Sequence, residues 1–149
     1  MNYNELEKEG LIRKLPVDKK KVEDAIKLAE RDLKTAKKIL PDNSDWAFSI
    51  AYNSMLQAGR ALMFSKGYRS SGDSQHVSVV KFVEAVLGKN QDIIVVFDRL
   101  RRKRHIAVYD TAGVITVDEA KNAIKWAAEF IEAVKSHIGS SKNKIQTKS

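Results

Sequence analysis

Residues 45–67 read DWAFSIAYNSMLQAGRALMFSKG, and this stretch indicates the fold of the whole chain. On a helix, apolar side chains such as Trp46, Met55 and Leu62 cover much of the circumference. Because a helix that is apolar nearly all round is normally buried, we expect it to lie at the centre of a bundle. Ser44 is a suitable N-cap immediately before it.

The segments on both sides of this helix also repeat apolar residues at steps of three and four. Pro16 and Pro41 lie at the boundaries of the first segment, and Thr116 with Glu119 forms a T-x-x-E capping box before the last. The β-branched residues of HVSVVKFVEAVLG, residues 76–88, leave a strand as the alternative there. The predicted helices cover residues 18–40, 45–66, 76–88, 91–109 and 117–138, with a loop at 68–75.

The chain is predicted to be one domain of the all-α class, an antiparallel bundle of four to five helices with short connections. Its 149 residues suffice to bury a core without disulfides or metals. Residues 1–17 are predicted as an N-terminal extension with at most one short helix, and residues 18–138 as the bundle. Residues 139–149, GSSKNKIQTKS, are predicted as a disordered basic tail.

The composition excludes several classes of function. The sequence has no cysteine, so disulfides and thiolate chemistry are excluded. The three histidines, His76, His105 and His137, fall on different predicted elements, and we therefore expect neither a metal site nor a cofactor. The first ten residues lack the pattern of a signal peptide and no stretch approaches the length of a membrane span, so we expect a cytoplasmic protein without membrane contact.

The net charge of +8, from 27 basic and 19 acidic residues, favours polyanionic partners. The densest cluster is RLRRKRHIAVYD, residues 99–110, in which five positive charges and a histidine fall within seven positions. Such a run is often only a solvated helix face. The alternative is that this segment binds an anion such as a phosphate, which the planar fork of arginine fits.

On a helix over residues 91–110, four polar side chains of this region share one face. Asp98 can pair with Arg102 one turn on, and His105 can hydrogen-bond Tyr109. Arg104 lies nearer the apolar side, so its guanidinium must reach around the helix or toward a neighbouring one. Arg, His and Tyr together can orient a phosphodiester, transfer a proton and stack a base. The predicted strip consists of Asp98, Arg102, His105 and Tyr109, with Arg101 at its edge.

Two segments of the chain resemble the HEPN domain family. AYNSMLQAGRALMFSKGYR, residues 51–69, resembles the family's second helix. FDRLRRKRHIAVYD, residues 97–110, resembles the family's signature helix, in which an acid, a basic cluster, a polar residue and an aromatic residue follow in a fixed order. The resemblance covers about residues 18–138 and implies a bundle of four or five helices that dimerises through the signature helices.

The resemblance also implies a site. Catalytic members carry an arginine, a polar follower and then a histidine, and they cleave RNA without a metal at the dimer interface. If Arg104 is the signature arginine, His105 is the polar follower and Tyr109 stands at the position of the histidine. If Arg99 is the signature arginine, His105 is the histidine of the motif, but the polar follower is replaced by Leu100. We favour the first register. The implied catalytic residues are then Arg104, His105 and Tyr109, and the implied binding residues are Asp98, Arg99, Arg101 and Arg102.

Two hypotheses of function follow from this resemblance. The first is a homodimer that binds or cleaves RNA at the dimer-interface cleft, as the toxin or ribonuclease component of a toxin–antitoxin system. The second is a non-catalytic helical partner of a nucleotidyltransferase antitoxin, a protein-interaction or nucleotide-binding module in which Tyr109 is a modification target. Nonspecific DNA binding is a third hypothesis, which only the net positive charge supports.

Overall fold

The structure of the protein is a computed structural model that describes residues 2–73, 75–88 and 91–147, with the backbone alone at residues 91 and 140–147. These residues form six α-helices, one π-helical segment and two short strands, so the predicted all-α bundle is confirmed with a small sheet as an addition. The elements in chain order are α1 (Tyr3–Lys8), β1 (Ile12–Lys14), α2 (Lys19–Ile39), α3 (Ser44–Ser65), β2 (Tyr68–Ser70), α4 (Gln75–Leu87), α5 (Gln91–His105), the π-helix (Ile106–Asp110) and α6 (Val117–Thr147).

Helix α3 lies at the centre of the bundle, as its apolar circumference predicted. It contacts α2, α4, α5 and α6, and most of its side chains are buried. Phe97 of α5 packs edge-on against Tyr52 of α3, with ring centroids 5.8 Å apart, and against Phe130 of α6 at 5.4 Å. These aromatic contacts join three helices in one core.

The start of α3 differs from the prediction in two ways. The N-cap is Asn43 rather than Ser44, because the Asn43 side chain accepts a hydrogen bond from the Trp46 N–H at 3.0 Å. Trp46 itself was predicted to contribute to the apolar surface of a buried helix, but it is 57% exposed. It lies in the first turn of α3, where no described element covers it.

Two other helix starts are capped by side chains, and the second of these caps was predicted. Asp18 accepts a hydrogen bond from the N–H of Lys20 at 3.0 Å, and α2 begins at the next residue. Thr116 and Glu119 form the reciprocal capping box: the Glu119 N–H donates to Thr116 Oγ1 at 3.1 Å, and the Thr116 N–H donates to Glu119 Oε1 at 3.2 Å. Each of these bonds satisfies an N–H that has no partner within the helix.

Strands β1 and β2 form a two-stranded antiparallel sheet that the sequence analysis did not predict. Arg13 and Arg69 are the central pair of its three-residue register. The loop predicted for residues 68–75 is therefore wrong at its first three positions. Strands this short, paired across two intervening helices, leave no alternation in the sequence that distinguishes them from loop.

The helix predicted over residues 91–109 is divided in two. It is α-helical to His105 and then forms the π-helix, which closes with a hydrogen bond from the Thr111 N–H to the Ile106 carbonyl at 2.9 Å. The wider turn changes the direction in which Tyr109 projects relative to a continuous α-helix. Single π-helical turns are rare and are frequent at functional sites.

Helix α6 continues to Thr147, through most of the segment predicted as a disordered tail from residue 139. The last two positions of that predicted tail, 148–149, lie outside the described residues. Among the helices of the described chain, none is both long enough and apolar enough to cross a bilayer.

Candidate functional site

A groove of about 540 Å³ opens where the C-terminal end of α5 and the π-helix face the start of α4. We refer to it as the arginine groove. Its lining residues are Asp73, Gln75, His76 and Val77 on one side and Arg101, Arg104, His105 and Tyr109 on the other. Four of the seven predicted site residues therefore line one groove. The groove is also lined by residues of α4, which the predicted strip on α5 did not include.

Asp98 holds two arginines on different sides of α5. Its Oδ1 accepts hydrogen bonds from Arg101 Nε at 3.1 Å and Nη2 at 3.0 Å, and its Oδ2 pairs with Arg102 Nη2 at 2.9 Å. The predicted pair of Asp98 and Arg102 is confirmed, but the Arg102 side chain is 72% exposed, against 27% for Arg101. Asp98 thus fixes Arg101 at the groove, whereas Arg102 lies outside it.

Arg104 reaches from α5 toward a neighbouring helix, as its position near the apolar side predicted. Its guanidinium carbon lies 5.5 Å from the centroid of the Tyr52 ring in α3, within range of a cation–π contact. Its Nε is buried and has no hydrogen-bond partner in the described part of the chain. Arg104 therefore has a fixed aromatic support and unused hydrogen-bonding capacity.

Tyr52 and His76 form a partly buried pair beside Arg104. The Tyr52 hydroxyl and His76 Nδ1 are 3.0 Å apart. Burial raises the pKa of Tyr52 to about 12, against a smaller opposing effect of the Arg104 charge. Burial also lowers the pKa of His76, and the nearby charges of Arg104, Arg60 and Arg101 lower it further. At neutral pH both groups are therefore uncharged, and His76 is an imidazole base at the groove.

His105 and Tyr109 lie at the outer edge of the arginine groove. Their ring centroids are 4.9 Å apart with a 45° angle between the planes. The Tyr109 side chain is 65% exposed, although it is a large aromatic group. An exposed aromatic pair next to two guanidinium groups is suited to stacking on a base or to contact with a second protein surface.

One further predicted residue, Arg99, lies away from the arginine groove. Arg99 lines a different groove, between α3, α5 and α6, together with Lys103 and Trp126. Lys103 forms an ion pair with Glu119 and so connects α5 to the start of α6. This contact, with the bonds to Thr116, holds the pKa of the Glu119 carboxyl below its ordinary value. These residues fix the position of α5.

Sequence reasoning missed Tyr52 and His76 as parts of the site. Tyr52 lies in the central, mostly buried helix α3, where an aromatic side chain is read as core. His76 was a lone histidine at the start of a predicted helix. The signal for Tyr52 was its place in the segment that resembles the family's second helix, but no local pattern joins it to His76. Across the residues that the structure describes, no three His, Asp or Glu side chains come together as metal ligands.

The fold and the site define a class: a helical bundle whose central helix supports a basic helix that ends in an arginine, histidine and tyrosine cluster. The sequence profile of the HEPN domain matches residues 22–137. Because this match covers most of the chain, the protein belongs to the HEPN family, and the resemblance inferred from its sequence is confirmed.

Solved structures share this fold. An archaeal HEPN homologue is 23% identical, with a TM-score of 0.63, over 78% of this chain and 97% of its own. TT1696 from Thermus thermophilus is 18% identical, with a TM-score of 0.61, over 77% of this chain and 96% of its own. A comparison with curated protein sequences gives no match.

Proposed function

We propose that this HEPN protein acts on RNA at the arginine groove, as a homodimer. The observation that supports the proposal is the convergence of the Arg101 and Arg104 guanidinium groups with the exposed pair of His105 and Tyr109. Guanidinium groups bind phosphate oxygens in a planar fork, and aromatic rings stack on unpaired bases. Single-stranded RNA presents a phosphate and a base at every nucleotide, so it matches both features.

Charge also favours an anion at this groove. Asp98 is already paired with two arginines, so its carboxylate does not oppose a ligand phosphate. Asp73 is the one carboxylate among the described lining residues, and the two guanidinium groups outweigh it. Arg104 lines the groove, rests on the Tyr52 ring and pairs with no carboxylate of the described residues, so we propose it as the main phosphate ligand.

The arginine groove also contains side chains that could donate and accept protons in the cleavage of an RNA phosphodiester bond. In such a step the 2′-oxygen of a ribose attacks the adjacent phosphorus, its proton passes to an imidazole, and a proton returns to the leaving 5′-oxygen. His105 is the predicted imidazole, and His76 is a second one that is uncharged at neutral pH because burial lowers its pKa. Arg104 would stabilise the negative charge on the phosphate in the transition state.

The test compares wild type with Arg104→Ala, using Arg102→Ala as the matched control because Arg102 lies outside the groove. Binding of labelled RNA is measured by fluorescence anisotropy, and cleavage of tRNA and mRNA by gel in the presence of EDTA. We expect Arg104→Ala to weaken binding about tenfold or more, the effect of losing one charged hydrogen bond, and Arg102→Ala to change it less than twofold. If wild type neither binds nor cleaves any RNA, the proposal is wrong.

The exposure of Tyr109 favours a second candidate function, that of partner to a nucleotidyltransferase. With its side chain 65% exposed on the π-helix, the phenol is accessible to another enzyme. Its oxygen would attack the α-phosphorus of ATP, form a phosphodiester to the nucleotide and release pyrophosphate. Incubation with a nucleotidyltransferase encoded next to this protein and ATP should then add one nucleotide to wild type and none to Tyr109→Phe, as measured by mass spectrometry.

A further inference from the structure

A second groove, of about 520 Å³, lies between α2, α3 and β2. Its apolar lining includes Leu28, Met63 and Phe64, and its cationic lining is Lys21, Arg60 and Arg69. The volume falls within the range of about 300–1,000 Å³ that is typical of pockets for small ligands. An apolar lining beside several cations is suited to a ligand that is aromatic on one side and anionic on the other.

The charges of the second groove are not neutralised by the protein. Asp24 is the one carboxylate among its described lining residues, and it pairs with Lys20, one turn earlier on α2, at 3.3 Å. Neither Arg60 nor Arg69 forms an ion pair with a carboxylate of the described residues. Their hydrogen bonds go to neutral oxygens, from Arg60 to the Gln57 side chain and from Arg69 to the Ser70 carbonyl, so a bound anion would supply the negative charge that the described residues do not.

The small sheet supplies a separate observation that points to an anion. Arg13 and Arg69 are directly opposite each other in the register of β1 and β2. Directly opposite residues project from the same face of a sheet, and like charges at such positions destabilise it. Both residues are exposed, and no carboxylate of the described chain pairs with either of them. An anion bound beside Arg69 would relieve this repulsion.

The second groove adjoins the arginine groove. Gln75, the first residue of α4, lines both of them. Arg60 lines the second groove, yet its charge acts on the pKa of Tyr52 and of His76, the pair beside Arg104. An RNA chain could therefore pass from the arginine groove to the second groove at Gln75.

We propose that the second groove binds a further nucleotide of the same RNA strand that occupies the arginine groove, a proposal that rests on the function proposed above. The base packs against Leu28 and Phe64, and a phosphate lies between Arg60 and Arg69. The side-chain amide of Gln57, also in the lining, can hydrogen-bond the edge of the base. A strand fits these observations better than a free nucleotide because the two grooves share a wall and both are cationic.

The experiment measures how affinity depends on RNA length. Labelled oligouridylates from 2 to 12 nucleotides and the mononucleotide UMP are titrated into wild type and into Arg60→Gln/Arg69→Gln. We expect wild-type affinity to rise with length, and the double variant to bind the longest RNA about tenfold more weakly while its affinity for the dinucleotide is unchanged. The slope of log K against log salt should fall in magnitude by about 0.7 for the long RNA, because the neutralisation of one phosphate is lost.

Matched controls separate this effect from general charge. Lys37→Gln/Lys125→Gln removes the same charge from two exposed positions on α2 and α6, away from both grooves, and should leave the length dependence intact. Phe64→Leu keeps the groove apolar but removes the aromatic ring, and should weaken only the longer RNAs. Equal melting temperatures of the variants would show that the fold is retained, and a 4-thiouridine at the end of the RNA should cross-link to the peptide that contains Phe64.

The outcomes distinguish this inference from the proposed function. If RNA binds in an Arg104-dependent way but Arg60→Gln/Arg69→Gln behaves like the lysine control, the second groove is no part of the path and the proposed function stands. If UMP binds as tightly as the longest RNA and depends on the same arginines, the groove takes a free nucleotide and the strand path is overturned. If no RNA binds at all, both proposals are overturned together.

Discussion

At Arg104 the chain combines two conditions that a surface arginine does not meet. The Tyr52 ring fixes one face of the guanidinium, and the buried Nε has no partner among the described residues. Arg102, two positions earlier, is instead paired with Asp98 and largely exposed. The two arginines thus differ in environment although they belong to the same charge cluster, and this difference makes Arg102 a control for Arg104.

His76 should make the stability of the protein depend on pH. Burial lowers its pKa from the ordinary value of 6.5, and three arginine charges lower it further. As the pH falls through 6.5, the unfolded chain takes up a proton at this position before the folded protein does. The free energy of unfolding should therefore decrease from pH 7.5 to pH 5, as measured by urea unfolding.

His76→Gln tests the source of this pH dependence. Glutamine does not titrate and can still accept a hydrogen bond from the Tyr52 hydroxyl. We expect the variant to lose less stability than wild type between pH 7.5 and pH 5. The control is His105→Gln, which replaces an exposed histidine and should retain the wild-type slope. Equal slopes for all three proteins would show that His76 is not the group responsible.

At the scale of elements, Gly59 allows α3 and α4 to approach each other closely. A Cβ atom at this position would lie 2.4 Å from Val79 Cγ1 and 3.3 Å from Val83 Cγ2. Both valines are buried, and a β-branched side chain on a helix has one strongly preferred rotamer. The valines cannot turn away easily, so the helices themselves would have to separate. This contact also positions the first turn of α4, which carries His76.

Gly59→Ala should therefore destabilise the protein. Overpacking a core costs about 1–3 kcal/mol, and the better helix propensity of alanine returns about 1 kcal/mol, so we expect a net loss of up to about 2 kcal/mol in the free energy of unfolding. Gly139→Ala on α6 is the matched control. A Cβ atom added there would have no described atom within 4 Å, so only the gain in helix propensity applies. A stabilised Gly59→Ala variant would contradict the close packing of α3 on α4.

At the scale of the whole molecule, the end of the signature helix has an apolar surface next to the arginine groove. Ile106 and Val108 of the π-helix are 45% and 39% exposed, and Tyr109 and Val95 are exposed as well. Large apolar side chains grouped on one exposed segment are typical of an interaction surface. This surface supports the homodimer in our proposed function, in which two arginine grooves lie close together.

Ile106→Glu should dissociate that dimer. Placing a carboxylate in an apolar interface leaves a charge without a partner, so we expect the mass measured by light scattering to fall to the 16.8 kDa of one chain. Val17→Glu changes a similarly exposed apolar residue elsewhere and should leave the wild-type mass unchanged. Wild type that is monomeric at micromolar concentration would rule out this interface.

The sequence was sufficient where structure depends on neighbours along the chain. The central position of α3 followed from its apolar circumference, and the capping box of Thr116 and Glu119 from residues three apart. The pair of Asp98 and Arg102 followed from one helical turn. In each case the interacting groups are fixed by helical geometry, which a one-dimensional pattern encodes directly.

By itself the sequence determined the helical class, the family and the helix that carries the basic cluster. Only the tertiary structure decided which of the cluster's arginines face a groove, because that depends on how α5 is rotated against α3 and α4. It also brought together Tyr52, His76 and Arg104, and it paired β1 with β2 across two helices. Contacts between distant segments depend on the packing of the whole core, and no local periodicity records them.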